Sequence, residues 1–213
     1  YRIVIGFRGQ TDSGWDWDTG VVSSKATMED VTHNRISATA LYDGLNDSTS
    51  AAINPFAATN NNIERALVDV YRNDTSKLTM FDFKISKPDV FSTKAGDVSM
   101  LLGGEFRSES YVDDRDPLLD GTDNFTSYST KSVPGGYTHP FASNVIGSSP
   151  STDTIGERNI DSLFMEMQIP LTEKINAHPA VRWEDIENVR SSTVGKLAIG
   201  WDVSNSIKLR GSI

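Results

Sequence analysis

The chain has 213 residues and a mass of 23.4 kDa, enough for one domain of ordinary size or two small ones. Its 20 Lys and Arg against 29 Asp and Glu leave a formal net charge of −9, which argues against nucleic-acid binding, where basic side chains must neutralise phosphates. With no cysteine and only three scattered histidines, His33, His139 and His178, the chain offers no disulfide framework, no thiolate and no common zinc or iron–sulfur ligand set.

No apolar run is long enough for a transmembrane helix. Membrane-spanning strands are a separate matter, because their alternating residues average to a polar composition. Period-two alternation, which gives a strand two unlike faces, is what the chain shows from its first residue. Tyr1 to Gly9 alternates, Thr11 to Gly14 reads as a turn, and residues 15–25 set Trp15, Trp17 and Val21 against Asp16, Asp18 and Ser24. Residues 29–74 are polar and rich in Asn, Asp, Ser and Thr, and read as a long loop. Inside it, Arg35 to Leu45 and Asn61 to Tyr71 carry helical spacing, the first with Gly44 as a stop, and their apolar stripes are expected to bury each other.

A strand at 77–86 places Phe81, Phe83 and Ile85 opposite Asp82 and Lys84, and Lys87 to Gly96 reads as the next turn. Residues 97–111 alternate best: Val98, Met100, Leu102, Gly104 and Phe106 share one face, Leu101, Gly103, Glu105, Arg107 and Glu109 the other. A second long polar loop covers 115–156. Residues 157–171 follow, with Leu163, Met165, Met167, Ile169 and Leu171 opposite Ser162, Phe164, Glu166 and Gln168. Thr172 to Pro179 reads as a turn, 180–187 as a strand and 188–191 as a short loop. In 192–203 Leu197, Ile199, Trp201 and Val203 oppose Lys196, Ala198, Gly200 and Asp202. After Ser204-Asn205, residues 206–213 set Ile207 and Leu209 against Lys208 and Arg210.

The fold class predicted is all-β, an antiparallel up-and-down meander of about eight strands. Short connections alternate with long ones, so all tight turns fall at one end and all long loops at the other, as in transmembrane barrels with short periplasmic turns and long extracellular loops. Several strands reach the 9–11 residues a tilted membrane crossing needs. Aromatic residues gather near strand ends, as in interfacial girdles. The membrane barrel is favoured over a soluble β-sandwich on the loop asymmetry. Both chain ends fall inside alternating runs, which predicts a piece of a larger protein.

The motifs carry little chemistry. Trp15-Asp16-Trp17-Asp18 lacks the recurrence that propeller blades require. Asp113, Asp114, Asp116, Asp120 and Asp123 do not follow the EF-hand order and read as a solvated acidic loop rather than a calcium site. Sequons at Asn46, Asn73 and Asn124 are expected by chance in loops this rich in Asn, Ser and Thr. Glu105, Arg107 and Glu109 make a charged ladder on one face. With no nucleophile or oxyanion arrangement beside it, it reads as a wet barrel wall rather than paired catalytic carboxylates. No phosphate-binding Gly-loop or nucleophile elbow occurs.

Gly103-Gly104-Glu105-Phe106-Arg107-Ser108-Glu109-Ser110-Tyr111 resembles a strand midway through the barrels of TonB-dependent outer-membrane receptors. Ser162 to Leu171 followed by Ala180-Val181-Arg182-Trp183-Glu184-Asp185 resembles their next hairpin. Thr193 to Trp201 and Leu209 to Ser212 continue in order, and Tyr1 to Gly9 with Gly14-Trp15-Asp16-Trp17 matches an earlier hairpin. The resemblance implies part of a 22-stranded transmembrane β-barrel, with residues 1–213 a partial barrel domain and the plug domain and C-terminal strands absent. It implies a non-enzymatic receptor in the bacterial cell outer membrane, without a cofactor. Such a receptor binds a scarce nutrient (siderophore, cobalamin or oligosaccharide) and imports it by energy-coupled gated passage. The expected partners are outer-membrane lipid, the small-molecule nutrient and the TonB energy-coupling complex through the missing plug. Inward residues Glu105, Arg107, Glu109, Glu166, Gln168 and Lys196 are expected to line the substrate path, and loops 29–74 and 115–156 to meet the ligand first. A passive porin or structural barrel, or a secreted soluble β-sandwich binding module, remain the alternatives.

Overall fold

The computed structural model describes residues 1–59, 61–127, 137–138 and 143–213, so His139 lies outside the described residues. The strands are β1 (Arg2–Gln10), β2 (Asp16–Ile36), β3 (Leu67–Thr93), β4 (Gly96–Arg115), β5 (Thr126–Ser127), β6 (Tyr137–Thr138), β7 (Thr154–Thr172), β8 (Ile175–Ile186), β9 (Arg190–Ser204) and β10 (Ile207–Ser212). Eight of them form one antiparallel meander, ordered β1-β2-β3-β4-β7-β8-β9-β10, while β5 and β6 make a separate two-stranded antiparallel sheet. The chain divides into two compact units. Unit 1 is Tyr1–Lys25, Lys77–Ser110 and Glu157–Ile213; unit 2 is Ala26–Ser76 and Tyr111–Gly156.

In unit 1 the cross-strand registers gather the apolar residues on one face. Leu163 faces Trp183, Met165 faces Val181, and Ile169 faces Ala177, which faces Ile199 in turn; Trp201 stands between Ile175 and Leu209. On β1 and β2 the same rule aligns Ile5 with Val21 and Gly9 with Trp17. This face is uncovered: Leu197, Ile199 and Trp201 are 43%, 44% and 46% exposed, and Leu102, Met165 and Met167 are only partly buried. A sandwich would seal such a face against a second sheet.

Two aromatic rings lock β4 into the sheet. Phe83 lies over Gly104 on the apolar face, and Phe164 lies over Gly103 on the polar face. Phe81 stacks on Phe106 with ring centroids 6.2 Å apart, extending the apolar side. Each ring fills the space a side chain would otherwise take, which is how aromatics compensate for glycine in a strand.

Turns in unit 1 are tighter than the sequence suggests. Lys94 and Ala95 alone separate β3 from β4, and Glu173 and Lys174 alone separate β7 from β8, where the Thr172 hydroxyl accepts from Lys174 N and Ile175 N at 3.2 and 3.0 Å. The turns expected at Lys87 to Gly96 and Thr172 to Pro179 therefore shrink. Pro88 and Pro179 sit inside strands, each forgoing one N–H donor.

Unit 2 corrects the loop boundaries. Residues 29–36 and 67–74, expected as loop, are strand, so the connections between the long strands span 37–66 and 116–153. Residues 29–36 are mostly polar on both faces and Asn34 takes φ 57°, while in 67–74 Leu67, Val68, Val70 and Tyr71 put apolar side chains on both faces, so neither run alternates. The helix expected at Arg35 to Leu45 is α1 (Ala38–Leu45), and Ser37 caps it by accepting from Ala40 N at 3.1 Å. Gly44 does not end it. It lies buried under Ile53, where a Cβ would stand 2.6 Å from Ile53 Cγ1. The helix expected at Asn61 to Tyr71 reduces to a 3-10 turn, Ile63–Ala66, packed on α1, and Leu67 already belongs to β3.

Asn144 organises this unit. Its side-chain oxygen accepts from the Ser37 hydroxyl and from Thr39 N, both at 3.0 Å, while its own N–H donates to Leu118 O at 3.0 Å. Ser37, Asn144 and Val145 are buried. Asn144→Ala leaves two donors without acceptors at about 1–3 kcal/mol each. Subtilisin cleavage within 116–153 is expected to accelerate at least about tenfold, with the cleavage pattern of unit 1 unchanged; equal rates would count against this hub.

Candidate functional site

Strand alternation opposite the apolar face of unit 1 produces a charged face. On β4, Arg107 Nε lies 3.9 Å from Glu105 and 3.3 Å from Glu109, and Arg158 of β7 reaches Glu109 at 2.7 Å. The three ladder residues are thus brought together, with Arg158 as a fourth member. Glu166 is level with Ala180, and Ala180 with Lys196, so these two expected wall residues stand two strands apart across a small side chain. Glu166, Gln168 and Lys196 line one depression of about 330 Å³ together with Ser99 and Leu101. The ladder does not line it.

A second polar group escaped the sequence reading. Arg182 donates to the Ser162 hydroxyl at 3.0 Å and to Glu184 at 3.2 Å, and its guanidinium lies 5.8 Å from the Phe164 ring centroid. The signal was present, since Arg182 and Glu184 alternate with Val181 and Trp183 on β8. Thr19 likewise donates to Asp82 O at 2.8 Å, bridging β2 and β3. Among the described residues no group of three acidic or histidine side chains could hold a metal ion.

Three members of the acidic run in unit 2, Asp113, Asp116 and Asp120, are tied into the fold rather than left to solvent, while Asp123 is exposed. Asp113 is buried and accepts from Arg72 Nε and Nη2, both at 2.9 Å, and from Arg115 Nη2 at 2.9 Å. The Arg72 guanidinium, then that of Arg115, holds its carboxyl at about 2. Asp116 caps the one-turn helix α2 (Pro117–Asp120) by accepting from Leu118 N at 2.9 Å, and Asp120 accepts from Thr122. Asp47, hydrogen-bonded by Thr49 and then by Arg65, is also held at about 2. On the strand part of the unit, the His33 imidazole and Asn34 N keep Asp69 below its ordinary range.

An antiparallel meander with one face apolar and uncovered and the other lined with ion pairs is the construction of a transmembrane β-barrel wall. The family described as TonB dependent receptor-like, beta-barrel, matches residues 2–213, and the chain belongs to that family. Its members are outer-membrane receptors and transporters rather than enzymes, which sets aside the soluble sandwich. Among solved structures, a chain of the FpvAI–pyocin S2 complex superposes with a TM-score of 0.57 over 99% of this chain at 9% identity. That likeness is one of fold, and this chain spans 25% of that neighbour. No curated protein matches in sequence.

Proposed function

We propose that the chain forms part of the wall of an outer-membrane receptor that imports a scarce nutrient of the siderophore, cobalamin or oligosaccharide class by energy-coupled gated passage. The strand segments of unit 1 cross the bilayer with the apolar face towards lipid. Glu105, Arg107, Glu109, Glu166, Gln168 and Lys196 face the lumen and line the substrate path. The connections 37–66 and 116–153 meet the ligand outside the cell, and energy coupling to the TonB complex runs through a plug domain elsewhere in the protein. The observation that carries this reading is the uncovered apolar face backed by an ion-paired one. Burying charge towards hydrocarbon costs several kcal/mol per group, whereas a wet lumen tolerates it.

Since the chain has no native cysteine, single cysteines report each face cleanly. Glu166→Cys and Lys196→Cys, in cells expressing the protein, are expected to react with a water-soluble maleimide. Met165→Cys and Ile199→Cys should resist it, and a fluorophore placed there should be quenched by brominated lipid. Equal labelling of both sets overturns the membrane orientation. Uptake that survives collapse of the inner-membrane proton gradient overturns the energy coupling and leaves a passive pore.

A further inference from the structure

The polar face of β8 to β10 holds a trough of about 680 Å³ that the ion-pair ladder does not use. The registers explain its shape. His178 is level with Ala198, and Gly200 stands between Asn176 and Arg210, so small residues form the floor while Lys196, Lys208 and Arg210 form the rim. A Cβ at Gly200 would meet nothing within 4 Å. Packing therefore does not demand glycine at 200, and its effect is to leave the floor open.

The charge is one-sided. No carboxylate lines the trough. Lys208 is paired with Asp202 at 3.0 Å, but Lys196 and Arg210 have neither an ion pair nor a side-chain hydrogen bond among the described residues. Lys196 and Arg210, two cations without an ion pair beside the paired Lys208, raise the local concentration of anions on this wall. Lys and Arg heads make charge-assisted bonds to carboxylate or phosphate, and the Gln168 and Asn176 amides at the margin add neutral donors.

We propose that this trough is a binding subsite for a small polyanion carrying carboxylate or phosphate groups, so that the receptor's cargo is anionic at this point of its route. The inference rests on the polar face being the lumen wall.

The test uses the purified protein in detergent, with citrate and pyrophosphate as probes at constant ionic strength, spermidine as the cationic control, and calorimetric titration as readout. At least one anion is expected to bind saturably and spermidine not at all; the citrate and pyrophosphate arms separate carboxylate from phosphate preference. The double substitution Lys196→Met with Arg210→Met should weaken binding at least about tenfold. Gly200→Phe, which fills the floor and leaves the charge unchanged, should do the same, whereas Lys94→Met in the β3–β4 turn should have no effect. Absence of saturable binding, or binding indifferent to both trough variants, overturns the subsite. If neither anion binds and Arg210→Met lowers the melting temperature, an acidic segment of the protein itself fills the trough, and the small-anion assignment is overturned. Maleimide labelling separates the two levels. A water-accessible position 196 with no anion binding sinks this inference alone, whereas a lipid-exposed position 196 sinks the wall reading beneath it.

Discussion

Gly103→Ala is expected to cost about 1–3 kcal/mol, the usual penalty for overpacking a filled site, and to lower the temperature at which the protein loses its heat-modifiable mobility on SDS gels. The added methyl would stand 2.7 Å from Phe164 Cε2 and 2.9 Å from the Phe83 carbonyl oxygen. The ring can swing aside, but the backbone oxygen belongs to the β3 ladder and cannot. Gly104→Ala meets Phe83 Cε1 at 2.6 Å and Leu163 Cδ2 at 3.0 Å, all movable side-chain atoms, so its cost should be the smaller of the two. Combining Gly103→Ala with Phe164→Leu should recover part of the loss, and the shortfall measures the Phe83 carbonyl contact. A Gly103→Ala protein that melts with the parent would show that the two rings do not clamp β4.

The second large effect lies in unit 2. Asp113→Ala removes the carboxylate between Arg72 and Arg115 and leaves two guanidinium groups facing a pocket that is only 8% exposed at the Asp113 side chain. Breaking a buried pair from one side typically costs about 3–5 kcal/mol, and Arg72, partly open to solvent, places this case at the lower end. The same pair sets an acid dependence. Because the folded carboxyl titrates at about 2 instead of its ordinary 3.8, the unfolded state binds the proton first on acidification. The stabilisation is complete above about pH 4 and is lost as the pH falls through about 2. Pepsin, active across this window, should cut unit 2 slowly at pH 4 and readily near pH 2. In Asp113→Asn it should cut at both, with a residual slope from Asp47. A parent protein cleaved equally at both pH values would remove Asp113 from this role.

The parts of the fold that were legible share one cause. Alternation is a local property of the chain, so the two faces of β4, β7 and β9 could be read from residues such as Leu102 against Gly103 or Leu197 against Lys196 before any pairing was known. Where the local signal failed, the reading failed with it. Residues 29–36 carry polar side chains on both faces, and Leu67, Val70 and Tyr71 fit a helical spacing as well as a strand, so only pairing with a neighbouring strand shows both runs to be extended. The run from Asp113 to Asp123 looked like one solvated acidic stretch because its partners, Arg72 above all, are remote in sequence.

The charge ladder was visible as Glu105, Arg107 and Glu109, but Arg158 and the Arg182–Ser162–Glu184 group were not. Their contacts join different strands, and a side chain's own position in the chain does not say which strand will lie beside it. Which residues share the apolar face and which the polar one was therefore legible along the chain, from the two-residue repeat. Which charge neutralises which, and which cations, Lys196 and Arg210, have no ion pair among the described residues, came from the cross-strand register. Electrostatic pairing acts over a few ångströms in space, regardless of the distance along the backbone.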